Sequence, residues 1–328
     1  MGGGDFKIKH NRREKPENMQ PNNDVTWPDS VWQEINDGVL KEVGKVRVAQ
    51  KVFATTTLDN HPNQTIPNEV IDFKDLSIKE GDTKPLAEIY SEFAMTGTQV
   101  EQEEEQMTCR TLARMAAKAI ALGEDAYFFQ LSDPDAAKRQ GQGLQVKVPA
   151  NVTIDNWRRS LDLGLLAEAN PVDADDGDGS RVTKPIEVPL ANGGNAKYGE
   201  ETFTAVAEGI SRLVAKAQAG PYALFLPTTV YADTFIPPSS ASLVTTADRI
   251  KPLVEGGYYT CGVLPDNEGL LVALAGEPAK LCVGREASTE FVRKQGAKYF
   301  FRVVERVQYV VRDPRSLVLL KFTKSARP

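Results

Sequence analysis

The side chains of this sequence best suited to chemistry are two histidines, His10 and His61, three cysteines, Cys109, Cys261 and Cys282, and two acidic runs. A general base must be held on a rigid element at hydrogen-bond distance from its target. His10 lies in a Gly-, Asn-, Lys- and Arg-rich stretch, and His61 sits in Asn60-His61-Pro62-Asn63, a turn signature. A Ser-His-Asp or Cys-His site would have to use one of them, which argues against nucleophilic catalysis of that kind. HExxH, the Walker A pattern and GxSxG do not occur. The cysteines are few, odd in number and far apart, with no CxxC. That argues against a disulfide framework or a zinc site and reads as small, semi-buried residues in a reducing compartment.

In the acidic run Asp173 to Gly179, the residues Asp176, Asp178, Ser180 and Glu187 could be ligand positions 1, 3, 5 and 12 of a calcium loop. Arg181 then stands where such a loop needs glycine, so the run reads as a solvated loop. The second cluster, Glu101, Glu103, Glu104 and Glu105, points around a helix rather than at one substrate. It reads as a solvated helix start favoured by the helix dipole. The residues thus predict no catalytic group, no metal and no cofactor, and they point to a binding or structural protein.

The chain's bulk composition agrees. Its 328 residues, 41% hydrophobic and 26% charged, suit one large globular domain or two small ones. A net charge of −6 gives no global positive field for nucleic acid or an anionic membrane. The longest apolar runs, Ala223 to Pro227 and Leu317 to Leu320, are too short to span a bilayer. The N-terminal stretch lacks the apolar segment of a secretory signal, and Phe6 replaces the Ser or Thr of a myristoylation site. The expectation is a soluble, cytoplasmic protein without membrane partners.

The elements that must position these residues follow from periodicity. Residues 1–24, basic through Lys7, Lys9, Arg12, Arg13 and Lys15, read as a mobile arm, a solvated tail or one that touches acidic cargo or nucleic acid. Pro28-Asp29-Ser30 starts a helix over 25–45 whose Trp32, Ile35, Val39 and Val43 form one apolar stripe. Residues 46–84 read as an extended two-stranded arm, with Val46, Val48, Val52 and Phe53 as β-formers, a turn at 60–63 and a return strand at Val70 to Phe73. A strand over Pro85 to Met95 and one helix over Gln99 to Leu122 follow, and Gly123-Glu124-Asp125 breaks or kinks that helix. Residues 132–199 read as a loop-rich surface insertion. Then come a helix over Glu200 to Ala217, a buried strand at Tyr222 to Leu226, a helix over Thr245 to Val254, a turn at Gly256-Gly257, short strands at Leu270 to Leu274 and Lys280 to Val283, a long strand at Tyr299 to Arg312 and a last one at Leu317 to Phe322. Helices and strands mix without a βαβ repeat, so the fold class is α+β.

Several of these segments carry a resemblance. Gly220-Pro221-Tyr222 before an apolar strand, Gly256-Gly257-Tyr258-Tyr259-Thr260, Gly262-Val263-Leu264-Pro265, and Asp313-Pro314-Arg315-Ser316 before Leu317 to Phe322 resemble the second half of family-one encapsulins. These are linocin- or bacteriocin-type nanocompartment shell proteins on the tailed-phage major-capsid fold. Trp32-Gln33-Glu34-Ile35, Pro85-Leu86-Ala87-Glu88-Ile89 with Phe93, and Ala116-Ala117 with Glu124-Asp125 and Phe128-Phe129 resemble earlier segments of the family in the same order. The resemblance covers roughly 27–130 and 200–322.

It implies a homo-oligomer that closes into an icosahedral shell around a cargo enzyme bearing a C-terminal targeting peptide. A ferritin-like iron protein or a dye-decolorising peroxidase is the usual cargo. It implies a peripheral domain from 85–131, 200–220 and 286–328, an axial domain at 221–285 and an extended loop at 46–84. By the same resemblance Trp32, Ile35 and Val39 would bind cargo, and the loop from Pro237 would line a pore through Pro238, Ser239, Ser240, Ala241 and Ser242. Where some members bind flavin through a tryptophan, this chain has Thr98, so no flavin is expected. The rival reading is a phage major capsid protein enclosing DNA, favoured by the basic arm and disfavoured by the acidic balance; an enzyme of unknown type is a more distant one.

Overall fold

Apolar residues at helical spacing start the fold at α1, Asp29–Val46, which turns Val31, Ile35, Val39 and Val43 inward. The structure is a computed structural model and describes residues 25–58, 65–72, 75–129, 148–155, 164–170, 182–190, 198–237 and 243–323. After α1 come α2, Ala49–Val52, and β1, Ala54–Thr57. The hairpin β2, Thr65–Asp72, and β3, Ser77–Pro85, precedes β4, Ala87–Thr96. Three helices follow: α3, Gly97–Glu101; α4, Glu103–Gln106; and α5, Thr108–Phe129.

The remaining strands are β5, Thr153–Asp155; β6, Ile186–Pro189; β7, Tyr222–Leu226; β8, Gly257–Thr260; β9, Glu268–Ala273; β10, Ala279–Gln295; β11, Lys298–Val311; and β12, Leu317–Thr323. Helices Leu165–Glu168, Gly199–Ala215, Thr228–Thr234 and Thr246–Ile250 lie between them.

Two five-stranded sheets form the body. One has the order β1-β10-β11-β4-β5, the other β6-β12-β9-β7-β8, and β2–β3 stands as a separate two-stranded ribbon. In β11 the alternating residues Phe301, Val303, Val307 and Tyr309 face inward, as the period of two requires, and α5 and α1 lie over them. Trp27 stacks on Phe301 with centroids 5.4 Å apart and donates its indole N–H to the Val100 carbonyl at 2.8 Å. The second sheet packs Ala223, Phe225, Leu270 and Val272 against this core. Its other face, with Leu224, Leu271 and Val318, packs under the helix Gly199–Ala215. The α+β class is as expected.

Several expectations need correction. Residues 46–57 are not part of the arm: α1 runs through Val46, 49–52 are helical, and β1 pairs in parallel with β10, Ala54 opposite Lys280. The arm is the ribbon of β2 and β3, paired from Thr65 opposite Pro85 to Asp72 opposite Ser77, while the turn placed at 60–63 lies outside the described residues. The helix expected over Gln99 to Leu122 is three helices, interrupted at Gln102 and at Met107, which has a φ of 52°. Nor does α5 break at Gly123: it continues to Phe129. A Cβ on Gly123 would lie 2.8 Å from Val152 and 3.2 Å from Ile89, so the glycine admits a close approach of helix to sheet.

Gly257 begins β8, paired with β7, where the sequence suggested a turn. Lys280 to Val283 opens a 17-residue strand rather than a short one. The helix Gly199–Ala215 and β12 pack in the second sheet's unit together with β7 and β9, away from the grouping expected for them. The insertion at 132–199 is part of the body where it is described, since β5 and β6 are edge strands of the two sheets and Leu165 and Leu166 are buried. The N-terminal arm at 1–24, residues 130–147 and the acidic run Asp173 to Gly179 lie outside the described residues.

Candidate functional site

The arm carries apolar surface that its own chain leaves open. Near its tip Leu76 is 86% and Ile78 57% exposed, and Val70 is also exposed. Apolar side chains this open gain nothing from their own chain. The root is different. Ile66 is buried in a small cluster with Leu86, Cys282 and Val310. Glu69 accepts from Lys280 Nζ at 2.9 Å on both oxygens, and its Oε2 also accepts from Arg312 Nε at 2.9 Å. Arg312 Nη2 stands 2.7 Å from the same oxygen. Burial alone would raise the Glu69 carboxyl, but the bonds from Lys280 and Arg312 more than offset it and hold the group below the usual carboxylate range. The Ile71 N–H donates to the Arg312 carbonyl at 3.2 Å. The tip is thus open and apolar while the root is fastened to the body.

The N-terminal helix is fastened to the body as well. Asn36 Oδ1 accepts from the Thr289 N–H of β10 at 2.7 Å. Ile35 is 1% and Val39 0% exposed. These two expected cargo-binding residues are therefore core, because the stripe that would have met a peptide is the one that packs under α5 and β10. Trp32 keeps part of its surface, packs at 5.1 Å from Trp27, and has a buried indole N–H without an acceptor. The expected pore residues Pro238, Ser239, Ser240, Ala241 and Ser242 lie outside the described residues. The residues flanking that loop, Phe235, Ile236, Leu243 and Val244, are exposed and apolar.

No constellation of reactive groups emerges around the three cysteines. All three are buried and free. Burial raises each thiol, helped at Cys109 by the Glu103 carboxylate. A raised thiol holds little thiolate and is a poor nucleophile. Among the described residues no group of His, Cys, Asp and Glu is arranged to hold a metal, and no helix is long and apolar enough to cross a membrane. Thr98 is in α3, whose N-terminus Thr96 and Gln99 cap reciprocally.

Sequence reasoning missed two features. Glu103 is not a solvated helix start: it is buried and accepts the N–H of Cys109 at 2.6 Å and of Arg110 at 3.1 Å, so it caps α5. Glu124 and Asp125 are buried inside α5, not at its end, and meet Arg47 and Glu305. The signal was present, because Glu124 shares helical spacing with Ala117, Ile120 and Phe128, and Glu305 stands in the inward register of β11.

Residues 183–308 match the sequence model of the Linocin_M18 family, described as "Encapsulating protein for peroxidase". No curated protein matches the chain. Among solved structures the virus-like particle from Pyrococcus furiosus is 15% identical with a TM-score of 0.60, covering 88% of this chain and 99% of that one. Mycobacterium phage Bobi is 13% identical at 0.53, covering 85% and 91%. The capsid of the empty GTA particle is 13% identical at 0.50, covering 84% and 96%. At such identities these likenesses establish the fold. The family's sequence model is thus matched over residues 183–308, and over most of the chain the fold is that of these virus-like-particle and phage-capsid subunits.

Proposed function

We propose that this chain assembles with identical copies into a closed icosahedral nanocompartment in the cytoplasm. There it encloses a cargo enzyme captured by a C-terminal targeting peptide and has no catalytic role of its own. The family's description supports a peroxidase as cargo. The observation that carries the reading is the arm: Leu76 and Ile78 are left open on a ribbon whose root is pinned by Glu69. A closed shell satisfies every head-to-tail contact and leaves no sticky edge. The apolar tip then finds its cover on a neighbouring subunit.

The test is sedimentation and electron microscopy of the wild type beside Leu76→Asp with Ile78→Asp. The wild type sediments as a closed particle, and the double variant as small, folded species. A wild type that stays at the size of one chain under gentle native conditions refutes the shell. Closed particles from the double variant refute the role of the tip. Particles that, after nuclease treatment, hold a genome and no folded protein favour a phage capsid instead.

A further inference from the structure

Where α1 gives way to α2, Arg47 turns inward between α5 and β11. Its Nη1 lies 3.3 Å from Glu124 Oε2 and its Nη2 3.9 Å from Glu305 Oε2. The three side chains are 6%, 0% and 1% exposed. Asp125, next on α5, accepts the N–H of Val48 at 2.9 Å and of Ala49 at 2.9 Å, at the start of α2. Gln50 Nε2 makes a long bond of 3.4 Å to Glu124 Oε2. The other titratable groups that face this cluster are Glu286 of β10, beside Glu305, and Cys261, beside Asp125. Arg47 is thus the cation whose charge acts on all three carboxyl groups.

The hydrogen bonds do not close. Glu124 Oε1, Glu305 Oε1 and Arg47 Nε, all buried, have no partner. Three ionised carboxylates against one guanidinium would leave two surplus negative charges out of reach of water, a cost that a buried site relieves by taking up a proton. Glu124 and Glu305 face each other closely enough for side chain to bond to side chain. A proton on one of them supplies the donor that two facing carboxylates lack.

We propose that Glu124 and Glu305 hold one proton between them, and that this proton keeps the joint between α1 and α2 closed, making it a pH-sensitive hinge between the N-terminal helix and the body. Geometry places the pair there: Arg47 is the residue that ends α1, and Asp125 beside Glu124 holds the first amides of α2. The titration behaviour agrees. Burial first, then the charge of Glu305, pushes the Glu124 carboxyl well above its ordinary 4.5, and burial raises Glu305 in the same direction. Burial and Glu124 lift Asp125 to about 7, against the pull of the Ala49 and Val48 amides.

The sign follows. A folded state that keeps a proton the unfolded chain has released loses stability as pH climbs from the unfolded value through the folded one. The loss is about tenfold in the folding equilibrium per pH unit per proton. Above that window the pair is ionised and the joint loosens.

The experiment follows unfolding of the full chain by denaturant from about pH 5 to about pH 8.5, for the wild type, Glu305→Gln and Glu124→Gln. Amide exchange over residues 47–53 is measured in parallel. Asp125 and Glu268, both raised to about 7, remain in every variant, so the difference between curves isolates the pair. The expected result is that each Gln variant loses about tenfold per pH unit of the wild-type slope, and becomes the more stable protein at the alkaline end only. Protection over 47–53 falls with rising pH in the wild type and falls less steeply in the variants. A residue that merely packs would shift the curves without changing their slope, and parallel curves overturn the proposal. If neither variant folds, the wild type still decides against it: constant protection over 47–53 across the range overturns the proposal.

Discussion

Replacing Glu69 by Gln tests the fastening of the arm. The substitution keeps the shape of the side chain and removes its charge. Lys280 Nζ and Arg312 Nε, each 2.9 Å from the carboxylate, are then left facing a neutral amide. Side-chain exposures of 17% for Glu69, 14% for Lys280 and 16% for Arg312 put the trio between surface and core. Breaking a fully buried ion pair costs about 3–5 kcal/mol and an exposed one about 0–1 kcal/mol. Some water reaches these three, so a loss of about 2 kcal/mol is the central value, or about 30-fold in the balance between docked and free root. Ile66 still contributes its burial, about 1.5–3 kcal/mol, so the root loosens without detaching completely.

Two assays read this. Amide exchange at Ile71, whose N–H is bonded to the Arg312 carbonyl, should quicken by about that factor. The fraction of chains in closed particles at a fixed concentration should drop, while the thermal transition of the body stays near that of the wild type. The sign with pH is fixed too. Glu69 is held below its ordinary value, so its contribution is complete above about pH 4.5 and fades as pH falls through the folded value. Acid should therefore free the wild-type root and leave Glu69→Gln unchanged. Wild-type exchange at Ile71 and unaltered assembly in Glu69→Gln would refute the latch.

With Ile35 and Val39 in the core, Trp32 is the one of the three expected groove residues that keeps part of its surface. Trp32→Ala should lower the amount of cargo that copurifies with particles at constant particle yield, and unchanged cargo removes the groove. For the loop after Pro237, Ser239→Asp with Ser240→Asp should change the rate at which ions reach enclosed cargo. Identical rates in loaded particles of variant and wild type remove the pore.

Periodicity was informative wherever one face of an element alone decides its place. The α1 stripe and the alternation of β11 could be read directly because burial repeats every 3.6 or every two residues. Sheet partners could not be read this way. β1 lies beside β10 because both meet in three dimensions, and four residues of Ala54–Thr57 carry no mark of that parallel pairing. The arm's boundary was misplaced for the same reason: Val52 and Phe53 favour strands intrinsically, yet Asp125 accepts the amides of Val48 and Ala49 and holds the segment helical.

Charged residues misled most. Glu103, Glu124 and Asp125 look like surface, and each is buried to satisfy something, the first turn of α5 or α2 or the guanidinium of Arg47. For site residues the resemblance ran ahead of the physics. A stripe of Ile and Val at core spacing is first of all core, and Ile35 and Val39 are.

The ion cluster at the arm's root and the buried pair at the α1–α2 joint titrate in opposite directions. Glu69 holds the root only while ionised, so its contribution is lost toward acid. The Glu124–Glu305 pair holds the joint only while it keeps a proton, so its contribution is lost toward alkali. The first sits where β2 meets the ends of β10 and β11, and the second where α1 meets α2. The root should then yield as pH falls through the folded value of Glu69, and the joint as pH climbs from about 4.5 through the folded value of the pair. A shell tiled from such subunits would open in acid by release of the arm's root and in alkali by slackening of the joint above it. Glu69→Gln and Glu305→Gln should each abolish one of these two losses and leave the other in place.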